Sequence, residues 1–264
     1  MQGRRAQGYQ VLRRHDAIQT QSKLHTENIM KTQLIKLTAI CLATLALGAC
    51  GGGGDGGSPL GSGGPQLVVD ASGASSFNTT TLGTSLAGLP MESLSTAEKD
   101  SLLFMREEEK LAHDVYAQLD LRWGTSTRSF GNIANSEATH TEAVRQLLVR
   151  YSVADPTPTA AGQFQNPVLQ GLYTQLTTAG AVSLGDALKV GAAIEEIDMV
   201  DINKAMLSID NQDIALVYQN LLKGSRNHLR SFVGNLANLG ITYVPQYMPV
   251  ADYQLIITTP MERG

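Results

Sequence analysis

The chain has 264 residues, a formal net charge of −4 and 42% hydrophobic residues, enough for one folded domain behind a first quarter that lacks the composition of a core. From Cys50 onward, 13 Lys and Arg stand against 22 Asp and Glu, a net of −9, and no basic patch stands out, so nucleic acid is not an expected partner. Both cysteines, Cys41 and Cys50, lie in that first quarter, which excludes an internal disulfide, a thiolate zinc site or an iron–sulfur cluster from the body.

Residues 1–29 carry Arg4, Arg5, Arg13 and Arg14 without apolar periodicity. Met30 then opens MKTQLIKLTAICLATLALGAC, a short basic start followed by an apolar run of signal-peptide length, too short for a spanning helix. Either Met1 or Met30 starts translation, and Met30 fits the signal better. Leu47-Gly48-Ala49-Cys50 resembles the bacterial lipobox, in which the cysteine is lipidated and becomes the mature N-terminus. The expectation is a lipoprotein of the bacterial cell envelope. Gly51 after the cysteine, by resemblance to enterobacterial sorting, points to the outer membrane, facing the periplasm. An ordinary secretory signal with a chance cysteine is the alternative. Residues 50–91 are expected to form the lipidated cysteine and a tether, glycine-rich at first and largely irregular over 67–90.

The domain is expected over 92–255, with 256–264 as a tail. Ser95-Thr96-Ala97-Glu98 is a capping box, and the helix it opens runs to Gly124 with an inner stripe of Leu102, Met105, Glu109, Ala112, Tyr116 and Leu119. On this pattern Glu107 and Glu108 face water. His113 falls on the helix flank, Tyr116 is a core tyrosine and Trp123 a packing anchor. The second helix, 130–151, carries Glu137 and His140, which share a face at i and i+3 with Phe130, Ile133, Val144, Leu147 and Tyr151. After a Pro-rich connection comes a short helix from Asn166-Pro167 to Gly180. Ser183 caps a helix over about 184–208 with Leu184, Leu188, Gly191, Glu195, Asp198 and Ile202 inward. Asp210 or Asn211 caps the last long helix, which carries Ile214, Val217, Leu221, Ser225, His228, Phe232 and Leu236 to Gly240. Beyond it, 241–260 has many breakers and is expected to be extended.

Four amphipathic helices thus each place a polar residue on an apolar stripe: Glu109; Glu137 and His140; Glu195 and Asp198; His228. Unpaired buried charge costs several kcal/mol, roughly, so these groups need compensation. A metal held by carboxylate and imidazole, the harder ligands that suit iron, manganese or zinc, is one answer. A buried polar network using Arg106, Arg145, Arg226 and Arg230 is the other.

The segments EEEKLAHDVY, NIANSEATH, IEEIDMVDI, GSRNHLRSF and YVPQY resemble the bacterial and archaeal ferritin-like family of unknown function numbered 2202, over roughly 98–255. The resemblance implies an all-α, ferritin-like four-helix bundle with an extra short helix between the second and third long helices. It also implies a di-metal centre of iron or manganese. Glu109, Ala112 and Tyr116 are similar to the rubrerythrin Glu-x-x-Ala-x-x-x-Tyr, Glu137 and His140 to its Glu-x-x-His, and Glu195 with Asp198 to its third-helix acids. The fourth helix departs: Ser225 stands where that superfamily has glutamate, three residues before His228. Expected partners are the metal ion and the lipid anchor, with a homodimer left open. The implied activity is a peroxidase- or ferroxidase-like di-metal oxidoreductase. A non-catalytic metal- or partner-binding lipoprotein, or a metal-free structural bundle, is the alternative.

Overall fold

The structure is a computed structural model in which residues 66–263 are described. Cys50, the expected signal segment and the glycine-rich part of the expected tether lie outside them. The described residues are mostly helical with one small sheet. Two short strands come first, β1 (Leu67–Val69) and β2 (Ser75–Phe77), then helix α1 (Thr79–Gly88). Four long helices follow with a shorter one between the second and third: α2 (Thr96–Trp123), α3 (Ser129–Arg150), α4 (Pro167–Gly180), α5 (Leu184–Met206) and α6 (Gln212–Asn238). A last helix, α7, spans Val250–Thr258.

Local chemistry sets most of these boundaries. Ser95 and Glu98 form the reciprocal capping box of α2, with the Ser95 hydroxyl accepting from the Glu98 amide at 3.2 Å. Asn166 caps α4 from Val168 N–H at 2.9 Å, with Pro167 in the first turn, and Ser183 caps α5 from Asp186 N–H at 3.1 Å. Asn211 precedes α6 but makes no side-chain capping bond.

The long helices pack mainly as two pairs, α2 with α3 and α5 with α6. The pairs meet through α2 against α5 and α3 against α6, and α4 lies against α2 and α5. The inner stripes read from the sequence form the core: Leu102, Met105, Ala112 and Leu119 of α2 join Phe130, Ile133, Val144 and Leu147 of α3. Ile202 of α5 and Ile214, Val217, Leu221, Phe232 and Leu236 of α6 complete it.

Two expectations fail at the ends. Residues 67–90 are largely regular, with β1 and β2 pairing antiparallel, Leu67 opposite Phe77 and Val69 opposite Ser75. Leu67, Ser75 and Phe77 are buried while Val68 is exposed, so the alternation of a half-buried hairpin is present but only three residues long. Its turn uses Gly73 at φ +89°, where a side chain would also strike Met261. Leu67, Phe77, Leu82 and Leu86, all ahead of residue 92, thus belong to the core. The extended tail expected over 241–260 contains α7 instead: Pro249 and Pro260 flank VADYQLIIT rather than interrupt it. Tyr253 and Ile256, three apart, turn inward, and α7 packs on α6. Past α7, Glu262 is held by Arg226 at 2.6 Å and by Arg230 at 3.1 Å.

Candidate metal centre

Glu137 and His140, one helical turn apart on α3, occupy the middle of the core. Glu137 Oε2 lies 2.8 Å from His140 Nδ1, and its Oε1 lies 2.8 Å from Nδ1 of His228 on α6. Glu109 Oε2 of α2 approaches the same His140 nitrogen at 3.4 Å, and Glu195 Oε1 of α5 approaches that of His228 at 3.5 Å. The result is two groups of potential metal ligands, Glu109–Glu137–His140 and Glu137–Glu195–His228, whose ligand atoms lie within 4.8 Å of one another in each group. Glu137 belongs to both. All five side chains are buried.

The short contacts lack hydrogen-bond alignment. Both oxygens of Glu109 and of Glu137, Nδ1 of both histidines and Glu195 Oε2 have no hydrogen-bond partner. Buried polar atoms normally find one. Atoms that approach without pointing at each other fit ligands aimed at a shared ion: two donors each about 2.1 Å from a metal lie about 3.0–3.4 Å apart.

Asp198 stands apart. It is buried on α5 with both carboxylate oxygens unpartnered, yet it belongs to neither group. Burial first, then the nearby charges of Glu109 and Glu108, raise its affinity for a proton well above the usual aspartate range. Ser225 is buried and turned back on its own helix, donating to Leu221 O at 3.1 Å.

Electrostatics follows the same division. Burial opposes ionisation of Glu137, but the two adjacent histidines outweigh it and hold this carboxyl well below the usual range. Burial also opposes charge on the histidines. The Glu137 carboxylate overrides it, raising His140 well above the usual imidazole range and His228 to about 9. Glu109, dominated by burial, is pushed up to about 8, and Glu195 is also raised, first by burial. Without metal, the centre is a set of buried groups sharing too few charges of the right sign. Four carboxylates, counting Asp198, would balance two divalent cations charge for charge.

Aromatic rings pack beside the buried centre. Tyr116 donates to Glu195 Oε1 at 2.6 Å, occupying one oxygen and leaving the other free. Its ring packs on Phe232, 5.2 Å between centroids, and Phe232 in turn packs on Phe130. Gly191 and Gly224 make room: a Cβ on Gly191 would meet Phe232 at 2.7 Å, and one on Gly224 would meet His140 Cε1 at 2.6 Å. An open polar cleft of about 380 Å³, lined by Asp120, Arg128, Gly131 and Asn135 among others, contains none of the centre's residues.

Several neighbours were misread or missed. Glu107 and Glu108 do not face water. Glu107 accepts from the amides of Gln165 and Asn166 at 2.6 and 2.8 Å, because the connection into α4 folds over it. Glu108 is buried against Asp201 of α5, and that burial raises its proton affinity well above normal. His113 sits on the flank against Asp114, 2.8 Å away, and Trp123 Nε1 donates to Gly180 O at 2.9 Å. The arginines go elsewhere: Arg106 to Asp155, Arg145 to Glu142, and Arg226 and Arg230 to Glu262. Sequence reading also missed Ser75 and Ser136. Ser75 O lies 2.6 Å from His140 Nε2, and the Ser136 hydroxyl lies 3.0 Å from His228 Nε2. Ser136 was visible beside Glu137. A backbone atom in a segment without a helical period leaves no signal in the residues.

Residues 98–260 match the family described as "Uncharacterized protein domain (DUF2202)". The chain is similar to the uncharacterized protein MJ0754 of Methanocaldococcus jannaschii, 47% identical over 180 residues, which is 68% of this chain and 96% of that protein. The crystal structure of hypothetical protein MJ0754 aligns with a TM-score of 0.64 at 47% identity, covering 66% of this chain and 99% of the archaeal one. A match over most of the folded body, joined to this level of identity, places the chain in the DUF2202 family.

Proposed function

We propose that the four long helices form a ferritin-like bundle around a di-metal centre of iron or manganese, and that the centre reacts with peroxide or oxygen. The observation that carries this reading is Glu137, one carboxylate common to two ligand groups, with a histidine on each of its oxygens. Glu109 and His140 would hold one ion, Glu195 and His228 the other. When bound, the metals supply redox chemistry and Lewis acidity. The chain supplies the rest. His140 and His228 give up their Nδ1 protons on loading, because ligands must be deprotonated. Tyr116 fixes the orientation of Glu195, and the Phe130 and Phe232 rings help exclude water. Asp198 is a spare carboxylate at the edge of the centre.

One observation favours a second reading, a centre that binds metal without turnover. Ser225 contributes no carboxylate from α6, and its hydroxyl is committed to Leu221. The metal-free network fares worse, since the arginines it needs are paired away from the inner acids. Peroxide consumption by iron- or manganese-loaded protein separates the first two: metal bound with no consumption above a Glu137→Gln control leaves the binding reading.

The same proposal puts the protein in the bacterial cell envelope as a lipoprotein anchored through Cys50. Its support is the Leu47-Gly48-Ala49-Cys50 sequence at the end of an apolar run. Among the described residues, no helix is long and apolar enough to cross a membrane. Cys50→Ser should move the protein from the membrane fraction to the soluble one, and a variant that stays membrane-bound contradicts the anchor.

A further inference from the structure

His140 and His228 come from different helices, yet their outward nitrogens converge on one residue of the β1–β2 hairpin. His140 Nε2 is 2.6 Å from Ser75 O. A carbonyl only accepts, so this nitrogen carries the proton and Nδ1 is the ligating atom. His228 Nε2 faces the Ser136 hydroxyl at 3.0 Å and the longer branch, at 3.2 Å, of a hydrogen bond that Ser75 N–H shares between this nitrogen and the Ser136 oxygen. Ser136 settles the direction. Its hydroxyl proton goes to Ser75 O in a short bond, and Ser75 N–H lies closer to the Ser136 oxygen, at 2.9 Å, than to the imidazole. The Ser136 oxygen is thus left to accept from His228 Nε2–H. Both rings then present unprotonated Nδ1 atoms to Glu137 whenever a cation replaces their protons.

We propose that the β1–β2 hairpin is an outer part of the metal centre: Ser75, by its backbone, and Ser136, by its hydroxyl, are positioning residues that select the Nδ1-ligating form of both histidines. This rests on the metal reading above. It assigns a role to residues 67–77, which precede the 98–260 stretch matched by the family. The hairpin is fixed for that role. Phe77 N–H donates to Thr139 on α3 at 2.8 Å, Asn227 of α6 donates to the Ser75 hydroxyl at 3.0 Å, and the Phe77 ring stands edge-on to His140 at 5.5 Å. Asn227 also donates to Glu262 O at 2.9 Å, so the chain after α7 braces the same point.

The two halves of the centre depend on different atoms, which makes the test selective. Ser136→Ala removes the acceptor for His228 Nε2–H and leaves Ser75 N–H facing that nitrogen. The favoured neutral form of His228 then carries its proton on Nδ1, where the metal should go. His140 keeps Ser75 O. Manganous ion binding to the full chain should therefore fall from two equivalents to one tight equivalent, the second weakened about 10–100-fold, as for loss of other such supports. Ser126→Ala, on the exposed turn after α2, should bind two. Two unchanged affinities in Ser136→Ala would overturn the inference while leaving the metal reading intact; no binding by the wild type would sink the metal reading first. Loss of both sites with an unchanged apo melting temperature would also overturn the division. Should Ser136→Ala not fold, the wild-type chain loaded with zinc answers through imidazole nitrogen NMR. Both Nε2 atoms should carry protons and both Nδ1 atoms should show the metal-bound shift; an Nε2-bound or Nδ1-protonated ring contradicts the proposal.

Discussion

His140 and His228 stack with ring centroids 5.4 Å apart and planes 18° apart, although both have raised affinity for a proton. Two imidazolium rings in that arrangement repel. They are tolerated because Glu137 places one carboxylate oxygen 2.8 Å from each. The arrangement has a definite dependence on pH, on charge and on metal.

The metal-free protein should lose stability as pH rises from about 5 to 9. His228 is raised from 6.5 to about 9 and Glu109 from 4.5 to about 8, so over these ranges the native state holds protons that the unfolded chain has released. Each contribution is complete below the unfolded value and gone above the folded one. Glu137, depressed, acts oppositely and costs stability only as pH falls below about 4.5, its ordinary value. Metal binding improves with pH as the ligands deprotonate. Melting with chelator and with manganous ion should therefore show curves that diverge from pH 6 to pH 8. A chelated protein whose melting temperature rises over that interval contradicts the assignment.

Glu137→Gln keeps the shape and removes the charge that both histidines share. Breaking a buried ion pair costs about 3–5 kcal/mol, so urea unfolding of the apo protein at pH 7 should show a loss of that order. Both metal equivalents should go together, since Glu137 serves both groups. Loss of one equivalent alone would show that the carboxylate is not shared.

Glu107→Ala should destabilise without touching the metal. The carboxylate satisfies two part-buried amides just before α4, and losing it costs about 1 kcal/mol, the lower end of the range because water can reach these donors. Metal stoichiometry should stay at the wild-type level. An unfolding free energy within about 0.5 kcal/mol of the wild type, the scatter of an indifferent surface change, would mean that the connection does not rest on Glu107.

The long helices were legible because each carries a periodic stripe, and α2 and α5 also carry N-terminal caps at Ser95 and Ser183. Glu137 and His140 were legible because i and i+3 geometry fixes their common face before any tertiary contact exists. Glu107 and Glu108 were misread because α2 is covered on more than one side: the 163–166 connection and Asp201 bury a face that a single stripe leaves open. The hairpin was missed because three-residue strands give no measurable alternation and Ser75 acts through its backbone. Gly224 gives no sign of its role in the sequence, because that role depends on His140 packing where its side chain would be.

Whether Glu109, Glu137, His140, Glu195 and His228 hold metal is decided by the metal content of the full chain after loading with ferrous or manganous ion and removal of the excess. About two equivalents are expected in the wild type, one for each ligand group around Glu137, with a sharp fall in His140→Ala, which removes the imidazole of one group. Under about half an equivalent in the wild type, a level expected of adventitious binding, with His140→Ala no different, would contradict it and leave these residues as a buried hydrogen-bonding network.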